Sequence, residues 1–148
     1  MAILNECNLP DDLYYFIDKH VWVKPIENGL VRIGMTSVAV KLSGGNLIAC
    51  TVKSKKIGQE IPQGKSLATL ESSKFVGPVP APITGILEKA NDKLADDPNI
   101  AVSDPYGEGW IADLKPSNWE SEKEALVFGE EGLAKYKAKL DADGISCK

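Results

Sequence analysis

The feature that most constrains this chain is how often its first two-thirds is interrupted. Thirteen glycines and nine prolines in 148 residues cut it into short pieces rich in Val, Ile and Leu. Such pieces read as strands, here at residues 30–34, 46–52, 66–70, 85–89 and 109–114. Turn residues separate them, at Glu27-Asn28-Gly29, Ser43-Gly44-Gly45, Pro62-Gln63-Gly64 and Asn91-Asp92. Connections this short cannot hold a parallel crossover, which takes ~12 residues or more. The expectation is a mainly β chain, an antiparallel sandwich or barrel. Two helices are expected beside it: a short one over residues 36–42, capped by Thr36 or Ser37 and stopped at Gly44-Gly45, and a C-terminal one over 130–142. The latter carries Leu133, Tyr136 and Leu140 on one face and stops at Gly144.

Composition narrows the possible functions. With 43% hydrophobic and 26% charged residues the chain can bury a core, and its length suits one domain, residues 1–148, with 121–148 as a helical C-terminal extension. A net charge of −4 without a basic stripe argues against nucleic-acid or anionic-membrane partners. Lys53, Lys55 and Lys56 alternate as the solvent face of a strand would. A single histidine, His20, leaves a His-ligated metal site or a histidine-dependent triad almost nothing to be built from. Cys7, Cys50 and Cys147 are odd in number, far apart and without CxxC spacing, which indicates neither a zinc site nor a disulfide framework. They read as free thiols in a reducing compartment, with Cys50 buried in an apolar strand. With no apolar run near ~20 residues and no leader at the start, the expected location is cytoplasmic.

One segment stands out. Lys65–Glu71 and Gly77–Ile83 are two extended stretches flanking Ser72-Ser73-Lys74, which makes a hairpin with Lys74 displayed at its tip. Pro78, Pro80 and Pro82 remove amide donors from one side of the second stretch and confine it to a sheet edge or to unpaired chain. That stiffness gives the lysine a rigid base.

The stretch Leu70-Glu71-Ser72-Ser73-Lys74, followed by Ala81-Pro82-Ile83-Thr84-Gly85-Ile86-Leu87, resembles the attachment hairpin of lipoyl and biotinyl domains. Biotinyl domains place methionine on both sides of the lysine, and Ser73 and Phe75 depart from that. His20-Val21-Trp22-Val23, Gly29–Thr36 and Asp104-Pro105-Tyr106-Gly107-Glu108-Gly109-Trp110 resemble, in order, motifs of the glycine cleavage H-protein family. The resemblance covers about residues 13 to 140. It implies a hammerhead-type antiparallel β-sandwich with a short internal helix and a C-terminal helix. It further implies lipoic acid in amide linkage to Lys74, attached by a lipoate-protein ligase or lipoyl transferase that recognises Glu71. By the same resemblance the chain is a carrier without catalytic residues, its arm reaching roughly 14 Å at ordinary bond lengths and serving partner enzymes that include dihydrolipoamide dehydrogenase.

The chain departs from the family where cargo is held. Family members that store the aminomethyl group of glycine place a Glu directly after the motif histidine and an Asp four residues after the lysine. Here these positions are Val21 and Pro78, and Lys74 is followed by the bulkier, apolar Phe75-Val76-Gly77. An ammonium moved from water into a pocket without an anion loses hydration worth several kcal/mol. The substitutions resemble the lipoate-binding branch that accompanies the sulfur-oxidising heterodisulfide-reductase-like complex, in which the dithiol carries sulfur. Two carrier readings therefore stand: sulfur cargo with that complex, or aminomethyl cargo with glycine decarboxylase and aminomethyltransferase. His20, Val21 and Phe75 are the candidates to line the arm's resting groove, with His20 equally readable as a hydrogen-bonded structural residue. Cys7 and Cys147, although read as free, have chemistry that permits exchange with a dithiolane. An unmodified interaction module and an enzyme in its own right are the competing classes. Retention of Lys74 with Glu71 opposes the first, and the lack of paired carboxylates in a plausible cleft opposes the second.

Overall fold

The computed structural model describes residues 2–148. Its strands, in chain order, are β1 (Ala2–Leu4), β2 (Cys7–Leu9), β3 (Tyr14–Phe16), β4 (Val21–Pro25), β5 (Val31–Met35) and β6 (Leu47–Thr51). They continue with β7 (Glu60–Ile61), β8 (Ser66–Ser72), β9 (Val76–Pro80), β10 (Gly85–Ala90), β11 (Ala112–Pro116) and β12 (Val127–Phe128). The helices are α1 (Ser37–Leu42), α2 (Lys93–Asp96), α3 (Ile100–Ser103), α4 (Trp119–Glu122) and α5 (Gly129–Asp143). All pairings are antiparallel. A seven-stranded sheet in the order β12-β3-β4-β5-β11-β10-β7 faces a three-stranded sheet, β6-β8-β9, and β1-β2 forms a separate hairpin. The mainly β, antiparallel expectation holds, and the sheets stay open rather than closing into a barrel.

Alternation explains the packing between the two sheets. Val21, Val23, Ile33 and Leu114 from the large sheet meet Cys50, Leu67, Leu70 and Val79 from the small one in a single buried cluster. Each Val, Leu or Ile among them contributes about 1.5–3 kcal/mol when fully removed from water. On the opposite face of the large sheet Gly34 is required beside Trp22, because a Cβ there would stand 2.6 Å from the Trp22 ring. On the outer face, Leu133, Tyr136 and Leu140 of α5 pack with Leu9, Leu13, Tyr15, Trp22 and Val38 in a second cluster. That is the face the spacing predicts.

The internal helix also forms as expected. Thr36 Oγ1 caps it by accepting from Ala39 N at 3.4 Å, and the chain leaves it through Gly44 and Gly45, both at positive φ. Two expectations fail. Lys53, Lys55 and Lys56 do not lie along a strand: β6 ends at Thr51, Ser54–Lys56 make a 3-10 turn, and Lys56 Nζ donates to the Ser66 carbonyl at 2.9 Å. The strand expected over 109–114 begins only at Ala112, because Gly109 N is drawn back into a turn on the Asp104 carbonyl at 2.9 Å. Among the described residues, no helix is long and apolar enough to cross a membrane.

Candidate functional site

The site starts with the alternation of β8. Past an irregularity between Ser66 and Ala68, residues Ala68, Leu70 and Ser72 turn inward while Thr69 and Glu71 face solvent. Ser72, 5% exposed, then closes the hairpin. Its N–H donates to the Phe75 carbonyl at 2.7 Å, its hydroxyl donates to the same oxygen at 3.3 Å, and Lys74 N donates back to that hydroxyl at 3.3 Å. The result is a short, pinned turn with Lys74 exposed at its tip and Glu71 exposed beside it, paired in register with Val76. Strand β9, with its prolines, lies at the edge of the small sheet, as the lost amide donors require.

Two hollows flank the tip. The larger, about 580 Å³, is lined by His20, Val21, Met35, Leu42, Phe75 and Pro78 among others. The Phe75 ring, 45% exposed, folds over Gly77, where any Cβ would collide with it. The residues singled out in the sequence as groove candidates, His20, Val21 and Phe75, thus share one wall-to-wall cleft beside Lys74. The second hollow, about 400 Å³, lies on the other side of Lys74 and is lined by Glu6, Val40, Lys41, Gly44 and Cys147. The stem of Lys74 rests on Gly44, whose absent Cβ would be 3.1 Å from Lys74 Cδ.

His20 also has a structural role. Its backbone adopts φ 58° and its carbonyl accepts from Thr36 N at 3.0 Å. Its Nδ1 is 2.7 Å from the Tyr136 hydroxyl, which is 3.1 Å from Thr36 Oγ1. Burial, then the nearby Lys139 ammonium, pushes its pKa down to about 4, so the ring is neutral at physiological pH. His20 is a hydrogen-bonded residue of the fold whose position is also on the cleft lining.

Val21 is 1% exposed and Pro78 stands at the cleft wall, so neither offers charge. Sequence reasoning missed one acid. Asp18 reaches this cleft from the turn before β4, with its side chain 74% exposed and 3.9 Å from Lys139 Nζ. No local signal marks it, since its place depends on how that turn docks against α5.

The largest correction concerns the cysteines. Cys7 and Cys147, read from the sequence as free thiols, are joined in a disulfide with Cα atoms 5.0 Å apart. The N-terminal hairpin and the last residues converge over α1: Cys147 N donates to the Asn5 carbonyl at 3.0 Å, and Lys41 Nζ to the Lys148 carbonyl at 2.8 Å. The cysteine pattern consequently no longer argues for a reducing compartment. Cys50 is the free thiol, buried as expected, its pKa pushed up to about 12 by desolvation.

The segment 104–110 turns out to be a clasp. Trp22 Nε1 donates to the Pro105 carbonyl at 2.9 Å, the Tyr106 hydroxyl accepts from Ser37 N at 2.9 Å and donates to the Asn8 carbonyl, and the Trp110 ring lies under the Arg32 guanidinium at 4.0 Å. Arg32 is held in turn by buried Asp113 at 2.8 and 3.1 Å. These residues bind the first hairpin, β4 and α1 together, and through Asn8 and Ser37 the Tyr106 hydroxyl braces the wall of the second hollow.

Comparison with known proteins agrees with this arrangement. Residues 13–139 match the family described as Glycine cleavage H-protein. The chain is 43% identical over 141 residues to glycine cleavage system H protein 2 of Aquifex aeolicus, covering 95% of this chain and 86% of the relative. It is 37% identical over 150 residues to the probable glycine cleavage system H protein 2 of Sulfolobus acidocaldarius, covering 100% and 98%. The crystal structure of a glycine cleavage system H protein from Mycobacterium marinum superposes with a TM-score of 0.71 at 28% identity, over 93% of this chain and 100% of that one. With the fold, the displayed lysine and these relatives in agreement, the chain belongs to the glycine cleavage H-protein family, whose members are carriers rather than catalysts.

Proposed function

We propose that the whole chain is one lipoyl-carrier unit, with lipoic acid in amide linkage to Lys74 and sulfur as the cargo of the arm. The observation that carries this reading is the tip itself: an exposed lysine pinned at a Ser72-closed turn, with an exposed Glu71 for a ligase or lipoyl transferase to read, standing over an apolar cleft. The residues present fit the group. An uncharged, largely aliphatic arm matches a cleft walled by Val21, Met35, Leu42, Phe75 and Pro78, and 580 Å³ is within the ordinary range for small-ligand sites. When bound, the lipoyl group supplies the exchangeable sulfurs. The protein supplies their position and the exclusion of water.

Sulfur cargo is favoured because Val21 and Pro78 line the cleft where an aminomethyl cargo needs carboxylates, and because burying an unpaired ammonium is costly. The heterodisulfide-reductase-like complex is then the partner that loads and unloads it, with dihydrolipoamide dehydrogenase resetting the dithiol. A second reading, aminomethyl cargo with glycine decarboxylase and aminomethyltransferase, is favoured by Asp18 at the cleft, although Lys139 already competes for that carboxylate.

The test uses the lipoylated chain, offered in parallel to glycine decarboxylase with labelled glycine and to a sulfane or thiosulfate donor with the heterodisulfide-reductase-like complex. A sulfur adduct confined to the Lys74 peptide supports the proposal. Efficient labelling from glycine replaces it with the second reading. In the latter case, Val21→Glu with Pro78→Asp should leave retention of the label unchanged. Under the sulfur reading, the same pair of substitutions should raise retention from a low starting level.

A further inference from the structure

We infer that the Cys7–Cys147 disulfide is a redox site for the arm on Lys74, an internal two-electron acceptor for the arm's dithiol; this rests on the lipoyl reading of Lys74. Cys147 and Lys74 are 73 positions apart, yet both line one hollow of about 400 Å³, together with Lys41 and Gly44. The Lys74 stem already lies along Gly44 into that hollow. An arm reaching roughly 14 Å can fold back from the lysine into the hollow without leaving the molecule. A tether of this kind raises the effective concentration of its end to the millimolar range, which makes exchange within the molecule faster than exchange between molecules at ordinary protein concentrations.

The two sulfurs are not equivalent. Cys7 is fully buried, while Cys147 is partly exposed in the hollow and is the point of attack. Cys147 Sγ accepts one thiolate of the dithiol, the Cys7–Cys147 bond breaks, and Cys7 leaves with the electron pair and takes up a proton. The second thiol of the arm then closes the dithiolane and releases Cys147 as a thiolate beside the Lys41 ammonium, a cation that favours it. In sum, the dithiol loses two electrons and two protons, and Cys7 and Cys147 gain them. A nicotinamide-dependent flavoprotein reductase supplies the dithiol at the start.

The experiment takes the lipoylated protein, its modification first verified by intact mass, and adds NADH with catalytic dihydrolipoamide dehydrogenase. Samples are quenched in acid, alkylated and peptide-mapped. The expected result is about tenfold or more alkylation of Cys7 and Cys147 over a Lys74→Arg control, with a half-time unchanged on tenfold dilution and Cys50 constant throughout. The inference is overturned if the arm is alkylated as dithiol while Cys7 and Cys147 stay joined, if the Lys74→Arg protein reacts equally, or if the half-time scales with protein concentration. Failure of the lipoyl reading is seen separately and earlier, as an unchanged mass after treatment with a competent ligase, and it removes this inference as well.

Discussion

Two hairpins in this molecule have opposite boundary conditions. β8–β9 is specified locally: Ser72 and Phe75, three residues apart, close its tip, and the Lys74 stem does no more than rest on Gly44. β1–β2 is specified from afar. Its turn at Asn5 and Glu6, both at positive φ, is fastened by Asp141, Ile145, Cys147 and Lys137, and its Cys7 is covalently tied across 140 residues. A tip built from short-range bonds is free to present a side chain to successive partners. A hairpin built from long-range bonds serves as a floor.

The largest effect that sharpens this contrast is all-or-none. Lys74→Arg should abolish lipoylation, read by intact mass, with an unchanged thermal midpoint, because a guanidinium is not acylated by the ligase and the exposed stem contributes little to packing. A shift of several degrees would mean the tip is structurally tied after all.

Next in size, Cys7→Ser should lower stability by about 2–4 kcal/mol in denaturant titration, the range for removing a long-loop disulfide. Lipoylation of Lys74 by the ligase should proceed at the normal rate in that variant. Reductant should lower the wild type to the same level and leave the variant unaffected.

The third prediction follows from His20, which joins the layer under α5 to the cleft. Its folded pKa of about 4 lies below the ordinary 6.5, first through desolvation and then through Lys139. Between these values the unfolded chain binds the proton and the folded chain does not. Stability is therefore fully present above pH 6.5, falls as the pH is lowered through the window, and loses nothing further from this residue below about 4. A loss on the order of 3 kcal/mol is expected, and His20→Gln should flatten that part of the curve. Amide exchange should show the weakening in α5 rather than at the β8–β9 tip.

The smallest effect belongs to the tip. Ser72→Ala removes the hydroxyl that donates to Phe75 and accepts from Lys74. A cost of about 1 kcal/mol is expected, with ligation slowed a few-fold as Lys74 loses its fixed presentation. An unchanged ligation rate would show that the backbone bond from Ser72 N alone is sufficient.

Much of this was legible in the sequence because its causes are local. Thr36 before an apolar run and Gly44-Gly45 after it define α1; the 133, 136, 140 spacing defines the buried face of α5; Pro78 and Pro80 place β9 at an edge. The strands before residue 25 were harder to read. Their turns use Asn5, Glu6 and His20 at positive φ, where glycine would have signalled a break. Without that punctuation, nothing marks where Tyr14–Phe16 stops and Val21–Pro25 starts.

The sequence by itself determined where a lysine would be displayed and what would flank it, since alternation, turn chemistry and residue identity act over a few positions; the carboxylates absent at Val21 and Pro78 were implied by the family resemblance alone. Only the tertiary structure decided that Cys7 meets Cys147, that Asp18 reaches the cleft, and that a second hollow with a disulfide in its wall lies beside Lys74. Contacts between the two ends of a chain depend on the sum of all the packing between them. No short stretch of residues encodes that sum.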